Sequence, residues 1–230
     1  MKSLALRSRD EEQMDAADLD PATFAAVLTD LAKVNRLTFT ARPTLRFLAR
    51  AIGERRSFRL LDVGYGDGDV LRAIARWARK HDCHADLVGI DLNPRSEPVA
   101  RAATADDMTI DFRTGDCFDL AGSGFDFVVS SQVTHHMTDD QLLAFLRFME
   151  TEARIGWLIC DLHRHGFAYH GYPLLAHLMR WHRIVREDGQ LSIARSFRPA
   201  EWRDLIAQAG LLPATIYRSF PFRLCVERIR

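Results

Sequence analysis

The four cysteines of this 230-residue sequence, Cys83, Cys117, Cys160 and Cys225, stand singly, with no CxxC pair and no dense framework. That spacing argues against a disulfide scaffold or a zinc ribbon, so reduced thiols are expected. Long hydrophobic runs are missing as well. No stretch reaches the roughly 20 apolar residues of a membrane span, and the opening MKSLALRSRDEEQMDAADLD lacks the apolar core of a signal peptide. The expectation is a cytoplasmic chain with no membrane span. Neither charge is in excess: 31 Lys and Arg balance 31 Asp and Glu, so no overall field draws the chain to nucleic acid or an anionic surface. What is present is 47% apolar content, enough to bury a full core, and the expected partner is a small molecule.

Residues 1–57 read as a polar, frayed tail to about residue 20, with no chemical role expected, followed by two helices. These span 21–36 (Phe24, Val27, Leu28, Leu31, Val34) and 43–54 (Leu45, Leu48, Ile52). From residue 58 the pattern alternates: strand 58–63, helix 68–80, strand 86–90, helix 96–103, strand 109–113, strand 125–130, helix 139–150 and strand 155–160. Strands such as Phe125-Asp126-Phe127-Val128-Val129 are apolar enough for burial on both faces, which favours a parallel sheet. A helical insertion is expected at about 163–187, closed by an Asp188-Gly189 turn, with Leu174, Leu175, Leu178 and Met179 on one apolar stripe. A helix opened by Pro199 precedes strands near 213–218 and 221–227. Their short joint at Ser219-Phe220-Pro221 permits only antiparallel pairing. The fold class predicted is α/β: a Rossmann-like, seven-stranded, mostly parallel sheet with an antiparallel C-terminal hairpin, N-terminal helices and an insertion after strand 5. Residues 58–230 form the main domain.

The strongest local signal is Leu60-Leu61-Asp62-Val63-Gly64-Tyr65-Gly66-Asp67-Gly68-Asp69, a strand running through three alternate glycines into a helix. Small residues let the backbone turn sharply and approach a ligand, while the helix start presents unpaired amides. A dinucleotide fingerprint wants a third glycine at position 69. Asp69 stands there and would repel a pyrophosphate, so a cofactor without phosphates fits better. With this loop, and with Leu87-Val88-Gly89-Ile90-Asp91-Leu92, Gly115-Asp116-Cys117 and Phe125 to Ser131 following in order, the sequence resembles the class I S-adenosylmethionine-dependent methyltransferases. The resemblance implies S-adenosyl-L-methionine as cofactor, with Asp91 on the ribose hydroxyls, Asp116 and Cys117 at the adenine, and the end of the fourth strand facing the methionine portion. The cofactor contacts so expected are Asp62, Gly64, Tyr65, Gly66, Gly68, Asp91, Leu92, Asp116, Cys117, Ser130 and Arg42. More finely, Val34-Asn35-Arg36, Asp161-Leu162-His163-Arg164 and Phe220-Pro221-Phe222-Arg223-Leu224 look similar to small-molecule methyltransferases associated with type III polyketide synthases. That implies a phenolic acceptor, and Asn35, Arg42 and His163 facing the cleft.

A phenol ionises near pH 10, so an imidazole beside it is suited to take its proton. His135 and His136 follow the fourth strand and His163 the fifth, placing all three at the active edge; His136 and His163 are the first candidates for catalysis, then His135. A metal set of these histidines with Asp161 is set aside, because adjacent residues tend to diverge and no HExxH pattern occurs. Phe167, Tyr169, Tyr172 and the leucine stripe suit an apolar lid over the acceptor, or plain helix packing. The expected activity is O-methylation of a small, apolar aromatic acceptor. C-methylation of a quinone-type ring, a non-catalytic cofactor-binding subunit and a nicotinamide dehydrogenase are the alternatives, the last disfavoured by Asp69 and the hairpin.

Overall fold

The structure is a computed structural model that describes residues 4–211 and 213–230, so residues 1–3 of the expected tail lie outside it. Strands β1 (Ser57–Val63), β2 (His84–Asp91), β3 (Asp111–Thr114), β4 (Phe125–Ser131), β5 (Ala153–Leu162), β6 (Thr215–Ser219) and β7 (Arg223–Ile229) form one sheet. Its order is β3-β2-β1-β4-β5-β7-β6. The first five strands run parallel; β7 lies antiparallel to β5 and pairs antiparallel with β6 as the expected hairpin. The order reverses between β1 and β4, and at such a switch point the strand ends leave a crevice for a ligand.

Successive residues of a strand point to opposite faces, and the sequence exploits this with apolar pairs. Leu61, Val128, Trp157 and Ile159 belong to a core with Phe145 and Met149 of α5 (Asp139–Glu152) and Trp202 and Ile206 of α8 (Pro199–Ala209). Leu60, Val129 and Leu158 pack on the other face with Phe47 and Leu48 of α2 (Ala41–Ala51) and Leu71 and Ile74 of α3 (Asp69–Lys80). Helix α4 (Ser96–Ala103) contributes Ala100 there. A third, separate core joins Val27 and Val34 of α1 (Pro21–Leu37) to Ala176 of α6 (Gly166–Leu178) and Ile184 and Val185 of α7 (Arg183–Arg195).

The insertion is therefore two helices, and the expected Asp188-Gly189 turn lies inside α7. Both residues serve packing instead of chain reversal. The Asp188 carboxylate accepts the backbone N–H groups of Gln13 (3.1 Å) and Met14 (2.9 Å). A Cβ on Gly189 would lie 2.3 Å from the Tyr172 ring. The N-terminal segment also differs from the frayed tail expected. Arg7 lies over the Phe197 ring and donates to the Arg195 carbonyl at 2.7 Å. Arg195 in turn donates to the Asp10 carbonyl at 2.7 Å, and a 3-10 turn at Gln13–Asp15 packs on α7. Its polarity is used internally, by side chains too distant in sequence for local patterning to reveal.

Candidate functional site

The glycine loop after β1 holds positive φ at Gly64 (74°) and Gly66 (57°), and a Cβ on Gly64 would fall 2.3 Å from a methyl of Val133. The bared backbone is pinned from β2: Asp91 accepts the Gly66 amide on one carboxylate oxygen and the Asn93 amide on the other, each at 2.9 Å. Asp62, Gly64, Tyr65, Gly66, Asp91, Leu92, Asp116 and Cys117 line a cavity of about 1010 Å³ above the strand ends. The structure thus gathers these eight expected residues. Gly68 is not in the lining; it caps α3, where a Cβ would strike the Phe112 ring at 2.8 Å. Ser130 is one residue too early, buried with its hydroxyl on the Val63 carbonyl (2.9 Å), and Ser131 and Gln132 reach the cavity instead. Arg42 is exposed on α2 and away from the lining.

Asn35 lines the cavity as expected, while its neighbours Asp69 and Gln132, and Arg223, were not among the contacts expected from the sequence. Asn35, Asp69 and Gln132 meet at the loop: Gln132 donates to Asn35 at 2.7 Å, and Asn35 bonds the Asp69 carboxylate. Arg223 of β7 is buried against the same region, donating to Thr38 (2.9 Å) and Thr40 (2.6 Å). A left-handed Gln132 (φ 60°) is the bend that turns the β4 end inward.

The electrostatics of this end are acidic. Burial, reinforced by the charges of Asp69 and Asp91, pushes the Asp62 carboxyl well above its usual range. Burial and the Asp67 charge raise Asp69 to about 6. Asp91 is raised by burial despite the two amides it accepts. Asp62 Oδ1, Tyr65 Oη and Ser131 Oγ are buried without partners among the described residues. An anionic pyrophosphate would be repelled here. A sulfonium bearing an ammonium group meets attraction and satisfies orphaned acceptors, so these residues fit S-adenosylmethionine.

Apolar walls lead away from the loop: Phe24, Leu28, Leu31 and Val34 of α1, and Phe167, Leu174, Leu175 and Leu178 of α6. The far end is polar. Asp161, fully buried at the end of β5, accepts the Thr134 hydroxyl (2.5 Å), the His135 amide (3.0 Å) and the His135 Nδ1 (2.7 Å). Burial alone would raise its pKa, but the imidazole and these bonds hold it well below the usual carboxylate range. His136 Nδ1 bonds Asp15 at 2.8 Å, and Glu12, only 3% exposed, faces the Nε2 atoms of both rings. Burial alone would lower His136, yet the Asp15 bond and the Glu12 charge leave it raised. The expected divergence of the two histidines does not occur: their ring centroids are 4.2 Å apart, because each Nδ1 is tied to its own carboxylate. His163 is elsewhere. It lines a separate hollow of about 240 Å³ with His165, Arg218 and Arg223, where burial and the arginine charges lower it to about 4.

Comparisons with known proteins agree with this geometry. Residues 60–153 match the family model described as a methyltransferase domain. The chain is 35% identical to a ubiquinone biosynthesis O-methyltransferase of Cereibacter sphaeroides over 67% of this chain and 60% of that protein, so it spans less than two thirds of that relative's length. It is 33% identical to the Ruegeria pomeroyi protein of the same name, over 77% of this chain and 71% of that one. The fold is similar to magnesium protoporphyrin IX methyltransferase from Synechocystis PCC 6803 with bound SAH: TM-score 0.58, 15% identity, 95% of this chain and 91% of that chain.

Proposed function

We infer the reaction from one premise: the chain belongs to the class I S-adenosylmethionine-dependent methyltransferases. Its reaction is O-methylation of a small, apolar phenol, of the kind an alkylated resorcinol or a related polyketide presents. The observation that carries this reading is the single cavity joining the acidic glycine-loop end to the histidine end through apolar walls. When bound, S-adenosylmethionine supplies an electrophilic methyl on a sulfonium. Asp91 would hold its ribose, Asp116 and Cys117 its adenine, and Asp62 its amino group. Leucines of α6 and α1 exclude water around the acceptor, since an in-line displacement needs alignment and a dry site more than covalent help. The acceptor hydroxyl is received at the His135 and His136 end, and its proton is lost there. The relatives' name, which specifies O-methylation in ubiquinone biosynthesis, supports oxygen over ring carbon as the atom methylated.

The test is incubation with methyl-labelled S-adenosylmethionine and a panel of phenols, catechols and quinols, followed by mass analysis. Label on an aromatic oxygen is expected. Label on a ring carbon, or transfer to none of the panel, overturns the reading.

A further inference from the structure

We propose that Glu12, His135 and His136 form a divalent transition-metal site of the zinc type, whose open position receives the hydroxyl oxygen of the phenolic acceptor. The proposal rests on the cavity being the phenol site described above. Its starting point is a buried carboxylate with nothing to bond: Glu12 Oε1 has no hydrogen-bond partner among the described residues, although Glu12 is 3% exposed. A lone buried carboxylate is costly, and native proteins leave one only where something else satisfies it.

Two lone pairs converge on that carboxylate. His135 Nδ1 is 2.7 Å from Asp161 and His136 Nδ1 is 2.8 Å from Asp15. A carboxylate only accepts, so each Nδ1 donates, and in the neutral ring each Nε2 is left as an acceptor. Both Nε2 atoms face Glu12, at 3.5 Å from Oε1 for His135 and 3.9 Å from Oε2 for His136. Ion-pair hydrogen bonds would close to about 2.7–2.9 Å, as the Nδ1 contacts do. The wider gaps match donors sharing an ion: ligands at about 2.0–2.1 Å in tetrahedral array stand roughly 3.4 Å apart. One donor atom from each of the three residues lies within 4.8 Å of the others.

The surroundings have the supporting features of such a site. Carboxylates hold the outer nitrogen of both histidines, the arrangement that fixes ring orientation and raises ligand basicity. Arg195, whose Nε is 3.7 Å from Glu12, gives its hydrogen bonds to the carbonyls of His135 (3.2 Å), His136 (3.4 Å) and Asp10 (2.7 Å), so it balances part of the Glu12 charge without closing a hydrogen bond on Oε1. Three protein ligands of a tetrahedral ion leave one position free, and all three residues line the cavity, so that position opens towards the acceptor. A hydroxyl bound there would release its proton to solvent and remain as the oxyanion.

The experiment uses the full chain stripped by chelator and titrated with Co2+, read by its visible ligand-field bands and by elemental analysis. One equivalent is expected. Glu12→Gln and His136→Ala should weaken it by more than about 100-fold, and Asp15→Asn, which only orients His136, by about 10- to 100-fold. Calorimetry with S-adenosylhomocysteine should be unchanged in all three variants, which shows them folded. An alkylated resorcinol, but not its dimethyl ether, should shift the Co2+ spectrum. Absence of stoichiometric Co2+ in the wild-type chain, or equal binding in Glu12→Gln, overturns the site, and a spectrum indifferent to the resorcinol overturns its acceptor role. Full methyl transfer by metal-free protein, with His136 Nε2 taking the proton directly, also overturns the proposal while leaving the O-methylation reading intact. Metal binding without transfer to any phenol does the reverse.

Discussion

Replacing Asp62 by asparagine is expected to make the cofactor-free protein more stable and less able to hold its cofactor. Asp62 is 1% exposed, its Oδ1 has no hydrogen-bond partner among the described residues, and the charges of Asp69 and Asp91 bear on it. Its pKa in the fold is raised above that of the unfolded chain. Its contribution to stability is therefore fully present below the unfolded pKa and lost as the pH rises through the folded one. Asparagine keeps a polar atom at the orphaned position but removes the buried charge facing Asp69 and Asp91, a relief of about 1–3 kcal/mol. For a chain of this size each kcal/mol moves the melting temperature by about 2–4 °C, so Asp62→Asn should melt roughly 2–12 °C higher than wild type at pH 8. The gap should narrow towards pH 5. In the same variant the loss of one carboxylate facing a cationic ligand should weaken S-adenosylmethionine by about 10-fold, or 1.4 kcal/mol. Differential scanning calorimetry at the two pH values, with and without cofactor, reads both effects. A variant that melts at or below wild type at pH 8 and binds the cofactor equally well refutes the reasoning.

Other perturbations separate the parts of the site. Asp91→Ala removes the acceptor of two loop amides as well as the proposed ribose contact, and should weaken cofactor binding by about 10-fold or more in calorimetry. Gly66→Ala places a side chain at a left-handed position and should cost about 1–2 kcal/mol in denaturant unfolding. Gly189→Ala drives a methyl into the Tyr172 ring and should cost about 1–3 kcal/mol, raising the acceptor KM while S-adenosylhomocysteine binds as before. His163→Ala, outside the cavity, should turn over a phenolic acceptor at close to the wild-type rate.

The strands and the glycine loop were legible because their signals are local. Apolar pairs such as Leu60-Leu61 and Val128-Val129 announce a two-faced buried strand, and Gly64 and Gly66 announce a backbone turned towards a ligand. The free state of all four cysteines followed from their isolation. What stayed hidden depends on contacts across the chain. Glu12 and Asp15 read as part of a solvated acidic tail, since nothing nearby in sequence shows that His135 and His136 lie against them. Asp188-Gly189 carries turn chemistry, but the Gln13 and Met14 amides and the Tyr172 ring use both residues within a helix. His163 sits at a strand end like His135, and only the tertiary arrangement sends it to the smaller hollow.

Leu31, Val34 and Leu175 of the proposed acceptor wall belong to a hydrophobic cluster of their own, in which α1, α6 and α7 pack on one another and share none of the residues of the two cores that clamp the sheet. Substitutions at Leu31, Tyr172 or Leu175 can accordingly accumulate without loosening the strands that fix Asp62 and Asp91. A lineage carrying this architecture is free to exchange one acceptor for another by drift in a single helical layer, while selection on the donor end acts on different residues altogether. The same partition gives a protein engineer a natural boundary for a mutant library: randomise the third cluster, and leave both faces of the sheet alone.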